Sequence, residues 1–291
     1  MYLTGFADEA APDIEGQIRA TKTLGWTNIE SRAVDGQNLH DVSDETFERV
    51  CAALGSAGVT VNCFGSAICN WGKKITEPDD ASLAETRRAI PRMRRLGTRL
   101  VRIMSYAVLK DRGPDDQMEA ERFRRLREHV KLFRDAGLQP VHENCMNYGG
   151  MGWTYTLRLL ENVPGLELVF DTGNPVFTDD YTKPAPRPKQ SAWEFYTHVR
   201  ERIAYVHIKD GVVDRDGQTR FTFPGEGAGD VRRIVADLLR RGYDGGLSIE
   251  PHLAVVAHDP SVTSEADVRF NNYVEYGRRM MRMIEEIRKA G

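Results

Sequence analysis

The sequence predicts an α/β fold, a single (β/α)8 TIM barrel with an extra C-terminal helix, and three observations predict it. Eight short apolar runs, each of about 4 to 7 residues, alternate with longer segments of helical period. Several of the runs follow the same phrase of helix end, glycine and short turn: LGWTNIE, AGVTVN, LGTRLV, AGLQPV and RGYDGGLSIE. Strand and helix alternating in this way implies parallel strands, because each helix has to carry the chain back. An open doubly wound sheet is the alternative, but no G-x-G-x-x-G follows the first run to favour it. The expected domain is one unit over residues 1–291.

Taken in order, the first run is Tyr2–Phe6, and after it Ile14, Ile18, Thr21 and Leu24 fall on one helical face closed by Gly25. The second run is Asn28–Arg32. The helix behind it opens at Ser43, carries Phe47, Val50, Cys51 and Leu54 inward, and stops at Gly58. Val59–Phe64 is the third run, followed by a long loop, Gly65–Asp80, that carries Trp71, Lys73 and Lys74. The arginines Arg92, Arg94 and Arg95 then mark the solvated face of an amphipathic helix. Leu100–Met104 is the fourth run, and Phe123, Leu126, Val130 and Phe133 form the next helix face, stopped by Gly137. Leu138–Glu143 and Leu166–Asp171 are the fifth and sixth runs, the latter followed by a proline-rich excursion, Pro175–Lys189. Ile203–His207 is the seventh. Ile234, Leu238 and Leu239 make a helix ending before Gly242, and Leu247–Glu250 is the eighth run. The tail from about 265 to 290 has Tyr273, Gly277, Met280, Ile284 and Ile287 at helical spacing, which suits packing on the barrel or on a partner subunit.

Composition narrows the function classes. The 291 residues are 41% hydrophobic and 29% charged with a formal net charge of −3, ample for a globular core and without the basic excess of a nucleic-acid surface. Cys51, Cys63, Cys69 and Cys145 form no C-x-x-C pair, so reduced thiols and a cytoplasmic location are expected. The opening MYLTGFADEAAPD has acids where a secretory signal needs an apolar run. No stretch approaches the roughly 18 to 20 apolar residues of a membrane span. The expected partners are a small-molecule substrate and, in a homo-oligomer, a second copy.

The last four strands end in ligand-type residues: VHEN, FDTGN, VHIKD and SIEPH. Side chains alternate faces along a strand, so Val141 and Glu143 share one face and His142 takes the other. Tyr205, His207 and Lys209 share a face, as do Ser248, Glu250 and His252. If those faces point inward, Glu143, Asp171, His207 and Glu250 converge above the barrel axis. Three ionised carboxylates in one low-dielectric mouth repel, and a divalent cation removes that cost. Three oxygen ligands and one imidazole suit Mn2+, with Mg2+ and Co2+ as alternatives and Zn2+ disfavoured. Buried ion pairs with neighbouring lysines or arginines are the competing explanation. His142 is expected to pack outward, His252 is ambiguous beyond Pro251, and His40, His129, His198 and His258 are assigned no chemistry. Glu30 and Arg32 share a strand face, and an ion pair between strands is their expected role.

Together FADEA, the Glu of NIESR, HEN, FDTGN, HIKD and SIEPH resemble the sugar phosphate isomerase/epimerase family, the xylose-isomerase-like barrels, over essentially the whole chain. The resemblance implies a metal held by Glu143, Asp171, His207 and Glu250. It also implies that Glu143 and Glu250 act as the acid/base pair on opposite faces of a ketose. Lys209 and Asp210 would orient substrate or support the metal ligands from behind, with Asn174, His252 and Trp71 as further substrate contacts. Many relatives carry D-x-x-H where this chain has Asn174, and an amide cannot take imidazole's acid/base role. The missing histidine also disfavours the trinuclear zinc centre of endonuclease IV-type relatives. A metal-dependent dehydratase or lyase on a keto-sugar, inosose or 3-keto-glycoside uses the same first step, and a non-catalytic sugar-binding barrel is the remaining alternative.

Overall fold

The computed structural model describes residues 1–256, 259 and 261–290. Eight parallel strands form the sheet: β1 (Tyr2–Gly5), β2 (Asn28–Ser31), β3 (Thr60–Phe64), β4 (Leu100–Ile103), β5 (Gln139–Glu143), β6 (Glu167–Asp171), β7 (Ile203–Ile208) and β8 (Gly246–Ile249). Their spatial order is β1-β8-β7-β6-β5-β4-β3-β2. A parallel bridge between Phe6 and Glu30 brings β1 back to β2, so the sheet nearly closes on itself. Each strand matches one apolar run of the sequence to within a residue or two at its ends. β8 stops at Ile249, which leaves Glu250 as the first residue beyond it.

Helices return the chain between strands: α1 (Ile14–Thr23), α2 (Asp44–Ala57), α3 (Asp80–Leu96), α4 (Glu119–Asp135), α5 (Trp153–Asn162), α6 (Ala192–Val199) and α7 (Val231–Arg240). The start and stop signals act where the sequence puts them. Ser43 Oγ accepts the Thr46 N–H at the start of α2, and Gly58 closes that helix at φ 62°. The tail is α8 (Ala266–Ala290), which packs against α1 and α7 of its own barrel. Gly277 permits that approach, because a Cβ there would lie 2.5 Å from Leu24 Cδ1. Among the described residues no helix is long and apolar enough to cross a membrane.

Two antiparallel hairpins decorate the rim beyond the strand C-termini, Ala33–Val34 with Gln37–Asn38 and Gly211–Val213 with Thr219–Phe221. Inside the barrel, Cys63, Val141, Val169 and Tyr205 form a fully buried layer. That layer is the floor on which the polar rim stands.

Candidate functional site

Strand alternation builds the site from this floor. The residues two positions beyond Val141, Val169 and Tyr205 are Glu143, Asp171 and His207, so the same pleat carries all three to the C-terminal rim. Glu250 follows Ser248 in the same way. All four are at most 4% exposed, and one ligand-type atom from each lies within 4.8 Å of the others. A cavity of about 580 Å3 opens above them, walled by Trp71, Arg102, Asn174, Lys209 and His252 among others.

Each glutamate divides its two oxygens. Glu143 Oε2 accepts from Arg102 Nη1 at 2.9 Å, while Oε1 accepts from Asn174 Nδ2 at 3.0 Å and faces His207 Nδ1 at 3.5 Å. Glu250 Oε1 accepts from Arg32 Nη1 at 2.9 Å, and Oε2 from Lys209 Nζ at 2.7 Å. Asp171 Oδ1 accepts the N–H groups of Gly173 and Asn174 at 2.8 and 2.7 Å. His207 Nε2 lies 3.1 Å from Glu30, which fixes the ring so that Nδ1 faces the cluster.

Two buried atoms at the centre have no hydrogen-bond partner among the described residues: His207 Nδ1 and Asp171 Oδ2. Lys209 Nζ stands 3.1 Å from Asp171 Oδ2, an ion-pair distance without hydrogen-bond geometry. Orphaned buried polar atoms are costly. Here both are ligand-type atoms turned toward one another beside two carboxylates, so the donor set fits a divalent cation.

The charges are strongly coupled. Burial would raise Glu143, but Arg102 and His207 hold it down at about 2. Burial opposes the ionised form of Glu250 too, and Lys209, His252 and Arg32 outweigh it, keeping that carboxyl well below the usual range. Asp171 is pushed up to about 6 by burial, only partly offset by Lys209. His207 would be lowered by burial but is raised to about 10 by Glu30 and Glu143. Without a metal, the cluster is therefore balanced by Arg32, Arg102, Lys209 and the imidazolium. A metal bound at Nδ1 would displace that imidazolium proton.

The other sequence-derived residues separate into two groups. Trp71, Asn174, Lys209 and His252 line the cavity. His252, at φ 54°, turns back so that its N–H and Nδ1 both meet Glu9, at 2.7 and 2.9 Å. Asp210 lies elsewhere: its carboxylate accepts N–H groups from Gly211, Gly225, Gly227 and Gly229 at 2.9, 2.8, 3.1 and 2.8 Å. It organises the loop before α7 rather than facing the cavity. Glu30 and Arg32 do not pair with each other, since Glu30 meets His207 and Arg32 spans Asp8, Glu9 and Glu250. His142 faces away from the site, bonds Ser105 Oγ at 3.0 Å, and is lowered to about 4 by burial, so it stays neutral. Lys73 is occupied by Glu85 and the Ala67 carbonyl. His258 lies outside the described residues.

Arg102, Asp8 and Glu9 join the site without having stood out in the sequence. A cation in the middle of LVRIM, two residues before Met104 on the same face, was the available signal for Arg102.

The sequence profile of the xylose isomerase-like TIM barrel family matches residues 18–270. Among solved structures, a D-tagatose 3-epimerase-like protein is 14% identical, with 100% of this chain and 99% of that one covered at a TM-score of 0.73. A xylose isomerase-like TIM barrel protein from Mycobacterium smegmatis in complex with magnesium is 18% identical, covering 98% and 97% at 0.68. The probable 3-DHS dehydratase involved in petrobactin synthesis from Bacillus anthracis is 16% identical, covering 94% and 97% at 0.68. At these identities the likeness is one of fold. No curated protein matches the chain.

Proposed function

The chain belongs to the xylose isomerase-like TIM barrel family, and from that membership we propose that it is a divalent-metal-dependent sugar isomerase or epimerase. The observation that carries the reading is the buried cluster of Glu143, Asp171, His207 and Glu250 with its two orphaned ligand atoms. Mn2+ suits this oxygen-rich set, and the neighbour solved with magnesium fits the same preference. A divalent ion held there supplies a Lewis acid that polarises a substrate carbonyl and acidifies the adjacent C–H.

The protein's own groups handle the proton. Glu143 and Glu250 reach the cavity from β5 and the end of β8, with β6 and β7 between them. Arg102 and Arg32 each hold one oxygen, which leaves Glu143 Oε1 beside Asn174 and His207 and Glu250 Oε2 beside Lys209. Both carboxyls are held ionised, the form that can accept a proton, by cations that at the same time lower their basicity. Lys209 Nζ, 2.7 Å from Glu250 Oε2, holds that carboxylate in place. Abstraction by one glutamate and delivery of a solvent-derived proton through the other inverts the carbon, and exchange with solvent returns both to their starting state.

A specific observation supports a second reading. Lys209 lines the cavity as a cation that Asp171 and Glu250 hold protonated, and its charge can stabilise a departing β-hydroxyl instead, which makes the enzyme a dehydratase or lyase. Incubating the Mn2+-loaded protein with a ketose panel in D2O separates the outcomes. Deuterium entering beside the carbonyl without loss of mass supports isomerisation, and release of water supports the lyase. Retained metal with no exchange on any substrate would reduce the protein to a binding barrel.

A further inference from the structure

A second cluster of ligand-type side chains lies behind one wall of the cavity. Cys69 and Asp79 belong to the loop from 65 to 79, and His129 sits on α4. One ligand atom from each falls within 4.8 Å of the others. Cys69 and His129 are fully buried, while Asp79, with 9% of its side chain exposed, leaves an approach from solvent.

Each potential ligand is oriented from behind. His129 Nδ1 is 2.8 Å from Thr86 Oγ1, which leaves Nε2 facing Asp79 Oδ2 at 2.9 Å. Asp79 Oδ1 accepts from the Tyr106 hydroxyl at 2.7 Å, so Oδ2 is the oxygen turned inward. A histidine and a carboxylate each anchored through their far atom are the usual support of a metal ligand. Asp79 also stands at the N-cap of α3, where an aspartate normally accepts a backbone N–H, yet it makes no capping bond and points into the cluster instead. The backbone is strained on both sides: Cys69 at φ 56° and Tyr106 at φ 64° are non-glycine residues in the left-handed region, tied by Tyr106 N–H donating to Cys69 O at 2.7 Å.

We propose that Cys69, Asp79 and His129 form a second metal site, selective for Zn2+, that pins the cavity-lining loop to α4. One sulfur, one nitrogen and one oxygen ligand suit a tetrahedral borderline-soft ion, with the fourth position beside the Tyr106 hydroxyl. The central cluster contains no sulfur and suits a harder ion, so the two sites select different metals. The pinned loop supplies Ala67, Asn70 and Trp71 to the cavity wall, and metal here fixes that wall. The site stands or falls independently of the reaction proposed above.

Cobalt substitution of the full chain tests it, because only a thiolate ligand gives the near-ultraviolet sulfur-to-cobalt charge-transfer band. The band is expected in the wild type, displaced by Zn2+, lost in Cys69→Ser together with one equivalent of bound zinc, and kept in Cys145→Ser. Cys145 lines the central cavity and is the competing sulfur. Absence of the band at saturating Co2+, or its survival in Cys69→Ser, overturns the proposal and leaves the cluster a hydrogen-bonded network only. If Cys69→Ser does not fold, the triple variant Cys51→Ser, Cys63→Ser, Cys145→Ser decides: a retained band supports the site and a lost band refutes it.

Discussion

Replacing Arg102 by Met probes how the metal-free centre is held together. Arg102 is 5% exposed and Glu143 1%, and their 2.9 Å pair is screened from water. Arg102 Nη2 also donates to the carbonyls of Gly65 and Ser66 at 3.1 and 3.3 Å. Removing one partner of such a pair leaves a buried carboxylate faced only by Asn174 and His207, which costs up to about 3–5 kcal/mol. For a chain of this size that is a fall in Tm of roughly 6–10 °C, at about 2 °C per kcal/mol. The loss depends on pH. Glu143 is depressed in the folded state to about 2 from 4.5, so its pairing contributes stability that is complete above 4.5 and fades as pH falls toward 2. Arg102→Met therefore destabilises most at neutral pH and least in acid. The double variant Arg102→Met, Glu143→Gln should recover much of the loss, since no charge is then stranded. Thermal melts of chelator-treated protein read all of this. A single variant within about 0.5 kcal/mol of wild type at neutral pH, the scatter of an ordinary surface substitution, would refute the reasoning.

Glu143→Gln and Glu250→Gln should each lower solvent-deuterium exchange by about 100-fold to 10,000-fold, read by NMR on a competent ketose; full activity in either removes the two-base mechanism. In the metal-free protein, His129 is raised from 6.5 to about 10 despite its burial, with Cys69 and Asp79 stabilising the charge. Its contribution, on the order of 5 kcal/mol at about 1.4 kcal/mol per pKa unit, is complete below pH 6.5 and lost as pH rises toward 10. Urea titrations across that range should show the decline in wild type and a flatter profile in His129→Gln. Asp210→Ala strands four backbone N–H groups and should cost about 2–4 kcal/mol while exchange per folded molecule persists. Unchanged stability with lost exchange would instead make Asp210 a substrate contact.

The parts of this molecule governed by local periodicity were legible in the sequence. The apolar runs, the glycine stops and the pleat parity that separates Glu143 from His142 follow from strand and helix geometry alone. What was not legible depends on strands distant in sequence. Arg32 and Glu250 are 218 residues apart, and Glu9 and His252 are 243 apart, so no spacing rule connects them. Glu30 and Arg32 share a strand, but closure of the barrel gives each a partner on a different element. Asp210 sits in a motif beside true cavity residues, and only the return of the Gly225–Gly229 loop shows why its carboxylate turns away. His129 lies on a helix face where a histidine is unremarkable in sequence, and the folding of the loop from 65 to 79 supplies its neighbours.

The proposed chemistry needs one divalent ion bound by Glu143, Asp171, His207 and Glu250. Crystals grown with Mn2+ and measured across the manganese absorption edge test it most directly. One strong anomalous peak bonded to those four side chains is expected, with His207 coordinating through Nδ1. Saturating Mn2+ with no peak among them, and Arg102, Arg32 and Lys209 still balancing the carboxylates, would show the cluster to be a buried ion-pair network and contradict the account.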